Sequence, residues 1–250
     1  MEPMHLLLCL LLGHFLGDFP LQTNHVFAAK IRGWPGVALH AGLVGGITML
    51  LIWPYGLAVI AGVAVVTVLH GAIDQAKIVI TRKKPGFPIS AFLLDQGIHL
   101  GLLVLLAYWA GFPELNQKDW SPWLSGTYIF DSLVRLYLDP KAIAVALAYV
   151  ISLFFGVIWV QTFTVSRVGS PGSGLWLSPL EKWAGIAERG LITTGVWFSN
   201  LPLLLLGFSL PFIVHYVSWR NWMSLRFFLT RTAASFLLSV AVGLGLKLMS

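Results

Sequence analysis

Charge is what this sequence has least of. Only 10% of its 250 residues are Asp, Glu, Lys or Arg, where a soluble domain carries roughly 25%. Hydrophobic residues make up 57%, leaving too little polar surface to cover a water-soluble globule. Cysteine is nearly absent too: Cys9 is the only one, which excludes an intramolecular disulfide and a cysteine-based zinc site. A basic stretch is missing from the first residues, where Glu2 is the only charge, and no small-residue cleavage signature follows the first apolar run. That run is therefore expected to be a retained helix and not a signal peptide. Basic residues outnumber acidic ones, 16 to 10, for a net charge of +6. In so apolar a chain the surplus belongs to cytoplasmic loops and carries no implication of nucleic acid.

What the chain has instead is long uncharged runs. Residues 36–53, 57–73 and 97–113 contain no Asp, Glu, Lys or Arg, and a helix needs roughly 20 apolar residues to cross a bilayer. The pattern predicts an all-α fold, a polytopic membrane helix bundle with spans near 4–21, 35–53, 57–80, 89–110, 141–162, 191–214 and 226–248. Residues 1–110 are expected to form a four-helix membrane core. Residues 111–190 join two long connections to one membrane helix (141–162), with a glycine-rich turn at Gly169–Gly174 and an interfacial segment at Leu180–Arg189. Residues 191–250 supply the C-terminal membrane helices, and Pro202 and Pro211 predict a kink or break in the sixth span.

Lys30 and Arg32 mark the 22–34 connection, and Arg82, Lys83 and Lys84 mark 81–88, so both are expected on the cytoplasmic side. Arg167, Lys182 and Arg189 agree with that orientation; Arg220 and Arg226 oppose it.

The rare ionisable residues inside the spans fall in a pattern. His14 and Asp18 are four apart in the first span, as are His70 and Asp74 in the third and Asp95 and His99 in the fourth. Four residues is one helical turn, so each pair shares a face. His40 adds an imidazole from the second span and Lys77 a cation beyond Asp74. Successive spans alternate in direction, so all these residues converge at one depth, toward the cytoplasmic leaflet. An intramembrane aspartate costs roughly 2.5–3.5 kcal/mol on insertion scales, so these groups must face one another, a metal ion or water. Gly13 and Gly17, and Gly97 and Gly101, are spaced to let helices approach around such a pocket.

Imidazole and carboxylate are ligands of zinc, iron and manganese. His14, Asp18, His70, Asp74, Asp95 and His99 are the candidate ligands of a divalent metal, zinc foremost. They are also the candidate catalytic groups, together with His40 and Lys77. Six donors leave room for a second ion. Lys77, with Arg82 to Lys84 beyond it, is placed to neutralise an anionic headgroup. Haem ligation by His40, His70 and His99 is disfavoured by the aspartates on the same faces. The leading expectation is a metal-dependent membrane enzyme, a hydrolase or transferase, acting on a lipid or polyprenyl-phosphate headgroup. A proton or divalent-cation transporter uses the same residue types. So does an accessory subunit whose polar residues lock helices together or hold a protein partner or a second copy. Gln22, Asn24 and Gln96 read as supporting groups, His5 and His25 as interfacial residues, and Glu181 and Glu188 as one solvated helix face.

Residues 8–24, with His14-Phe15-Leu16-Gly17-Asp18-Phe19-Pro20-Leu21-Gln22-Thr23, resemble the opening of a bacterial family of unknown function. The pattern of that family is a membrane helix ending H-x-x-G-D-F-x-x-Q-T. The likeness continues through Lys30, Trp34-Pro35, Leu39-His40-Ala41, Leu69–Lys77 and Ala91–His99, covering about residues 5–105. It implies an inner-membrane protein of unassigned activity. The spaced His and Asp are also similar to those of proteins labelled membrane-bound metal-dependent hydrolases, by analogy alone.

Overall fold

The computed structural model describes residues 4–83, 88–111, 128–169, 179–218 and 224–249. Lys84, residues 112–127 of the first long connection, the glycine-rich turn from Ser170 onward and Arg220 lie outside them. Every regular element among the described residues is helical: α1 (His5–Asp18), α2 (Asn24–Arg32), α3 (Trp34–Ile52), α4 (Leu57–Lys83), α5 (Pro88–Trp109), α6 (Tyr128–Leu138), α7 (Pro140–Val150), α8 (Gly156–Val168), α9 (Pro179–Trp197), α10 (Leu201–Ser218) and α11 (Leu225–Met249). Single turns of 3₁₀-helix (Trp53–Tyr55) and π-helix (Ile151–Phe155) complete the set.

Among the described residues, five stretches are long and apolar enough to cross a membrane: Trp34–Tyr55, Leu57–Arg82, Ile89–Trp109, Pro140–Val168 and Leu225–Met249. The other two expected spans are shorter, for local reasons. α1 stops at Asp18 because Pro20 follows and cannot donate to the helix ladder. The expected 191–214 span is not one helix: Trp197 ends α9, and the Asn200 side chain accepts from Leu203 N at 3.1 Å to start α10 anew. Pro202 therefore sits harmlessly in a first turn, and Pro211 alone is inside a helix. The 22–34 connection, expected as a loop, contains α2, capped by Thr23, whose hydroxyl accepts from Val26 N.

The chain divides into two compact units, residues 1–86 with 90–147, and 87–89 with 148–250. In the first unit, α1, α3, α4 and α5 run antiparallel in succession. A methyl added at Gly13 would stand 2.6 Å from Thr48 Cα, and one at Gly17 would stand 2.6 Å from Val44 Cα. Falling residue numbers on one helix meet rising numbers on the other, so α1 lies backbone to backbone against α3 in opposite directions. Gly45 against Thr67 and Gly71 against Ala41 repeat the relation between α3 and α4. Gly62 against Leu106, and Lys77 against Asp95, extend it to α5.

Gly97 and Gly101, expected to admit a close neighbour, have nothing within 4 Å of an added methyl. The contacts of α5 come from its long side chains, Leu106 over Gly62 of α4 and Asp95 with Lys77, and not from its own glycines. At the far end of α1, His5 is buried. Its Nδ1 lies 2.5 Å from Tyr55 Oη and its Nε2 lies 2.6 Å from the Tyr137 carbonyl oxygen. It is thus an internal tie and not the interfacial residue expected. Cys9, fully buried, lies 3.7 Å from the same imidazole.

In the second unit, α9 and α10 form an antiparallel hairpin in which Gly195 meets Leu204 and Gly207 meets Ile192. The π-turn has a specific partner. Arg189 of α9 donates from Nε to the Ser152 carbonyl at 2.7 Å and from Nη2 to the Leu153 carbonyl at 2.9 Å. A π-turn displaces carbonyls from the regular ladder, and the guanidinium takes them up. Gly156 leaves room for it, since a methyl there would stand 2.8 Å from Arg189 Nε. Glu188, expected on a solvated face, is buried, while Glu181 pairs with Arg231 at 3.6 Å.

Candidate functional site

The spacing of the His/Asp pairs puts each on one helix face, and the antiparallel order puts the four faces at the same end of the first unit. His14 and Asp18 come from the last turns of α1, His40 from the first half of α3, His70 and Asp74 from the middle turns of α4, and Asp95 and His99 from the middle turns of α5. All seven are buried, between 0% and 6% exposed. Apolar helices, three of them long enough to cross a membrane, thus enclose three carboxylates and four imidazoles.

Four atoms define the centre. His40 Nε2 and His70 Nε2 are 3.3 Å apart. Asp18 Oδ1 lies 3.0 Å from the first and 3.4 Å from the second. Asp74 Oδ2 lies 3.4 Å and 3.2 Å from the same two nitrogens. Five of the six edges of a four-donor set therefore measure 3.0–3.4 Å. Ligands about 2.0–2.1 Å from a tetrahedral zinc stand roughly 3.3–3.4 Å from one another. The aspartate oxygens are close to the ring nitrogens without being aligned for hydrogen bonds: Asp18 Oδ1 and Asp74 Oδ2 both lack a properly directed donor. The residues able to hold a metal fall into two overlapping sets, His14 with Asp18 and His70, and His40 with His70 and Asp74.

His14 flanks this centre, with Nε2 3.5 Å from Asp18 Oδ2. His99 stacks on His70 with ring centroids 4.1 Å apart, and neither of its nitrogens has a hydrogen-bond partner. Asp95 is drawn to one side. Its Oδ2 accepts from Lys77 Nζ at 2.6 Å and from Gln96 Nε2 at 3.2 Å. Gln96 also reaches Asp18 Oδ2 at 3.3 Å, and Lys77 reaches Asp74 Oδ1 at 3.2 Å. Asn24 is exposed on α2.

Lys30 was read above as an orientation marker and as part of the family likeness, not as a site residue, and its position is different. α2 carries it into the cluster, where Nζ lies 2.6 Å from Asp74 Oδ2 and 3.3 Å from Gln22 Oε1. Gly36 makes the approach feasible, because a methyl there would overlap the Ala29 carbonyl. A signal was present in the sequence: Lys30 lies between two motifs of the resembled family. Two ammonium groups thus face three carboxylates, leaving one negative charge when the imidazoles are neutral.

The fold and this cluster define an all-helical membrane protein with a buried His/Asp/Lys centre. Residues 6–125 match a family described as a protein of unknown function (DUF3307), so that about the first half of the chain is similar to that family. The matched region holds every residue of the cluster. No curated protein and no solved structure matches the chain.

Proposed function

We propose that the cluster is a divalent-metal centre, zinc foremost, and that the protein is a metal-dependent membrane enzyme acting on a phosphorylated lipid headgroup at the cytoplasmic leaflet. The observation that carries the reading is the clustering of Asp18, His40, His70 and Asp74, in which five of the six donor separations are 3.0–3.4 Å and the carboxylate oxygens lack aligned donors. A metal bound there supplies a Lewis acid and a water made acidic enough to attack at neutral pH. His14 and His99, beside the donors and outside the tightest set, are suited to move a proton. Lys77, partly exposed and paired with Asp95, neutralises charge on the side from which a headgroup would come. Arg32 and Arg82, exposed near the same end, support the cytoplasmic assignment.

Elemental analysis of purified protein, with release of phosphate from lipid phosphates in detergent, is the test. About one transition-metal ion per chain is expected, lost in Asp18→Asn together with turnover. Protein that is folded yet free of any stoichiometric metal overturns the proposal.

A second reading, a proton or divalent-cation carrier, is favoured by the unbroken series from His40 through His70 to Asp74 at 3.3 and 3.2 Å. Zinc or proton flux into proteoliposomes without lipid turnover selects it.

A further inference from the structure

We infer that Lys30 is an anion-binding residue held in reserve on Asp74, and that a bound metal ion releases it to grip a phosphate group. The inference rests on the metal-centre reading above. Its basis is one shared atom: Asp74 Oδ2 lies 2.6 Å from Lys30 Nζ and also 3.2 and 3.4 Å from the two imidazole nitrogens of the donor set. A dication taken up by that oxygen would stand a few ångströms from a full positive charge. Repulsion at this range is strong even at the effective dielectric of a protein interior. The ammonium must therefore leave the oxygen when the metal arrives.

The surroundings make that withdrawal easy. Lys30 is the only residue that α2 buries. Its other polar contact, with Gln22 Oε1, is long at 3.3 Å. A flexible four-carbon stem lets the ammonium move without its helix moving. Lys77 has no such freedom, being drawn to Asp95 at 2.6 Å as well as to Asp74.

Charge then decides the class of ligand. Without a metal, Lys30 and Lys77 leave the three aspartates one negative charge in excess. A dication reverses this to one positive charge, in a setting where an uncompensated charge is costly. The compensating group must be an anion able to span the metal and a nearby ammonium, and the tetrahedral oxygens of a phosphate monoester or of phosphate itself do so. Arg82, which donates to the carbonyl oxygen of Ile31 beside Lys30, adds positive charge where the released ammonium would go.

The test uses purified full-length protein in detergent. Zinc binding is measured first, then binding of inorganic phosphate and of a short-chain phosphatidic acid with and without zinc. In wild type, the phosphate group should bind only after zinc. Phosphatidic acid binding alone identifies a lipid headgroup as the source; inorganic phosphate binding equally well identifies free phosphate.

In Lys30→Gln the two affinities should move in opposite directions. Zinc should bind about tenfold tighter or more as the repulsion is removed, and the phosphate group about tenfold more weakly. Lys30→Arg, which keeps the charge, should behave as wild type. A lysine that merely steadied Asp74 would instead lose about 10–100-fold of zinc affinity on removal, and that result, with wild type still binding zinc, overturns the inference alone. Zinc binding to neither protein overturns the metal reading with it. The wild-type chain gives an independent readout that needs no variant: Lys30 should react faster with an amine-acylating reagent when zinc is present, and an unchanged rate counts against release.

Discussion

Lys77 touches two carboxylates, Asp74 Oδ1 at 3.2 Å and Asp95 Oδ2 at 2.6 Å; removing its charge strands Asp95, while Asp74 keeps Lys30 at 2.6 Å. Breaking a buried pair from one side costs about 3–5 kcal/mol, more than the pair contributes over apolar replacements. Lys77→Met should therefore lower thermal stability in detergent sharply, and Lys77→Met with Asp95→Leu should recover much of the loss. Equal destabilisation in the two proteins would show that Asp95 is sustained by Gln96 instead. At this scale the His/Asp pairs were readable in advance, because one-turn spacing fixes their faces whatever the tertiary fold. Lys30 and His5 were not. A lone basic or imidazole side chain near the end of a span looks like an interfacial group, and its burial depends on partners distant in sequence, Asp74 for one and Tyr55 and Tyr137 for the other.

The glycine pairs of α1 and α5 share one spacing, and only the α1 pair is used. A methyl added at Gly13 or Gly17 would stand 2.6 Å from the α3 backbone, while one at Gly97 or Gly101 would meet open space. Gly17→Leu should force α1 from α3 and lower stability by about 1–3 kcal/mol, the cost of overpacking. Gly97→Ala and Gly101→Ala should leave stability unchanged or raise it by up to about 1 kcal/mol through helix propensity. Thermal unfolding of the three variants separates these outcomes. Glycine spacing reveals that a helix can be approached closely, not which neighbour comes. Hydropathy has a similar limit at the α9–α10 break. Trp197 to Leu201 stays apolar enough to pass for a continuous span, and the Asn200 cap that divides it is a single hydrogen-bonding event. The all-helical character and the order of α3, α4 and α5 needed no such detail, since uncharged length alone dictates them.

Across the whole chain, the His/Asp/Lys cluster belongs to one compact unit and the Arg189–π-turn tie to the other. Separate perturbations should therefore act separately. Arg189→Met strands the Ser152 and Leu153 carbonyls, each an unsatisfied buried acceptor worth about 1–3 kcal/mol. The midpoint of thermal unfolding should fall while zinc stoichiometry and zinc affinity stay at wild-type values. Loss of zinc binding in this variant would mean that the second unit shapes the centre.

The position of Cys9 has a practical consequence. It is the sole thiol of the chain and has no exposed surface, so the native protein is already silent to maleimides that cannot cross lipid. Any cysteine introduced at a helix end would be the single labelled position. A handful of point substitutions in the otherwise untouched sequence can therefore map which ends of α2, α4 and α11 are reached from each side of the bilayer.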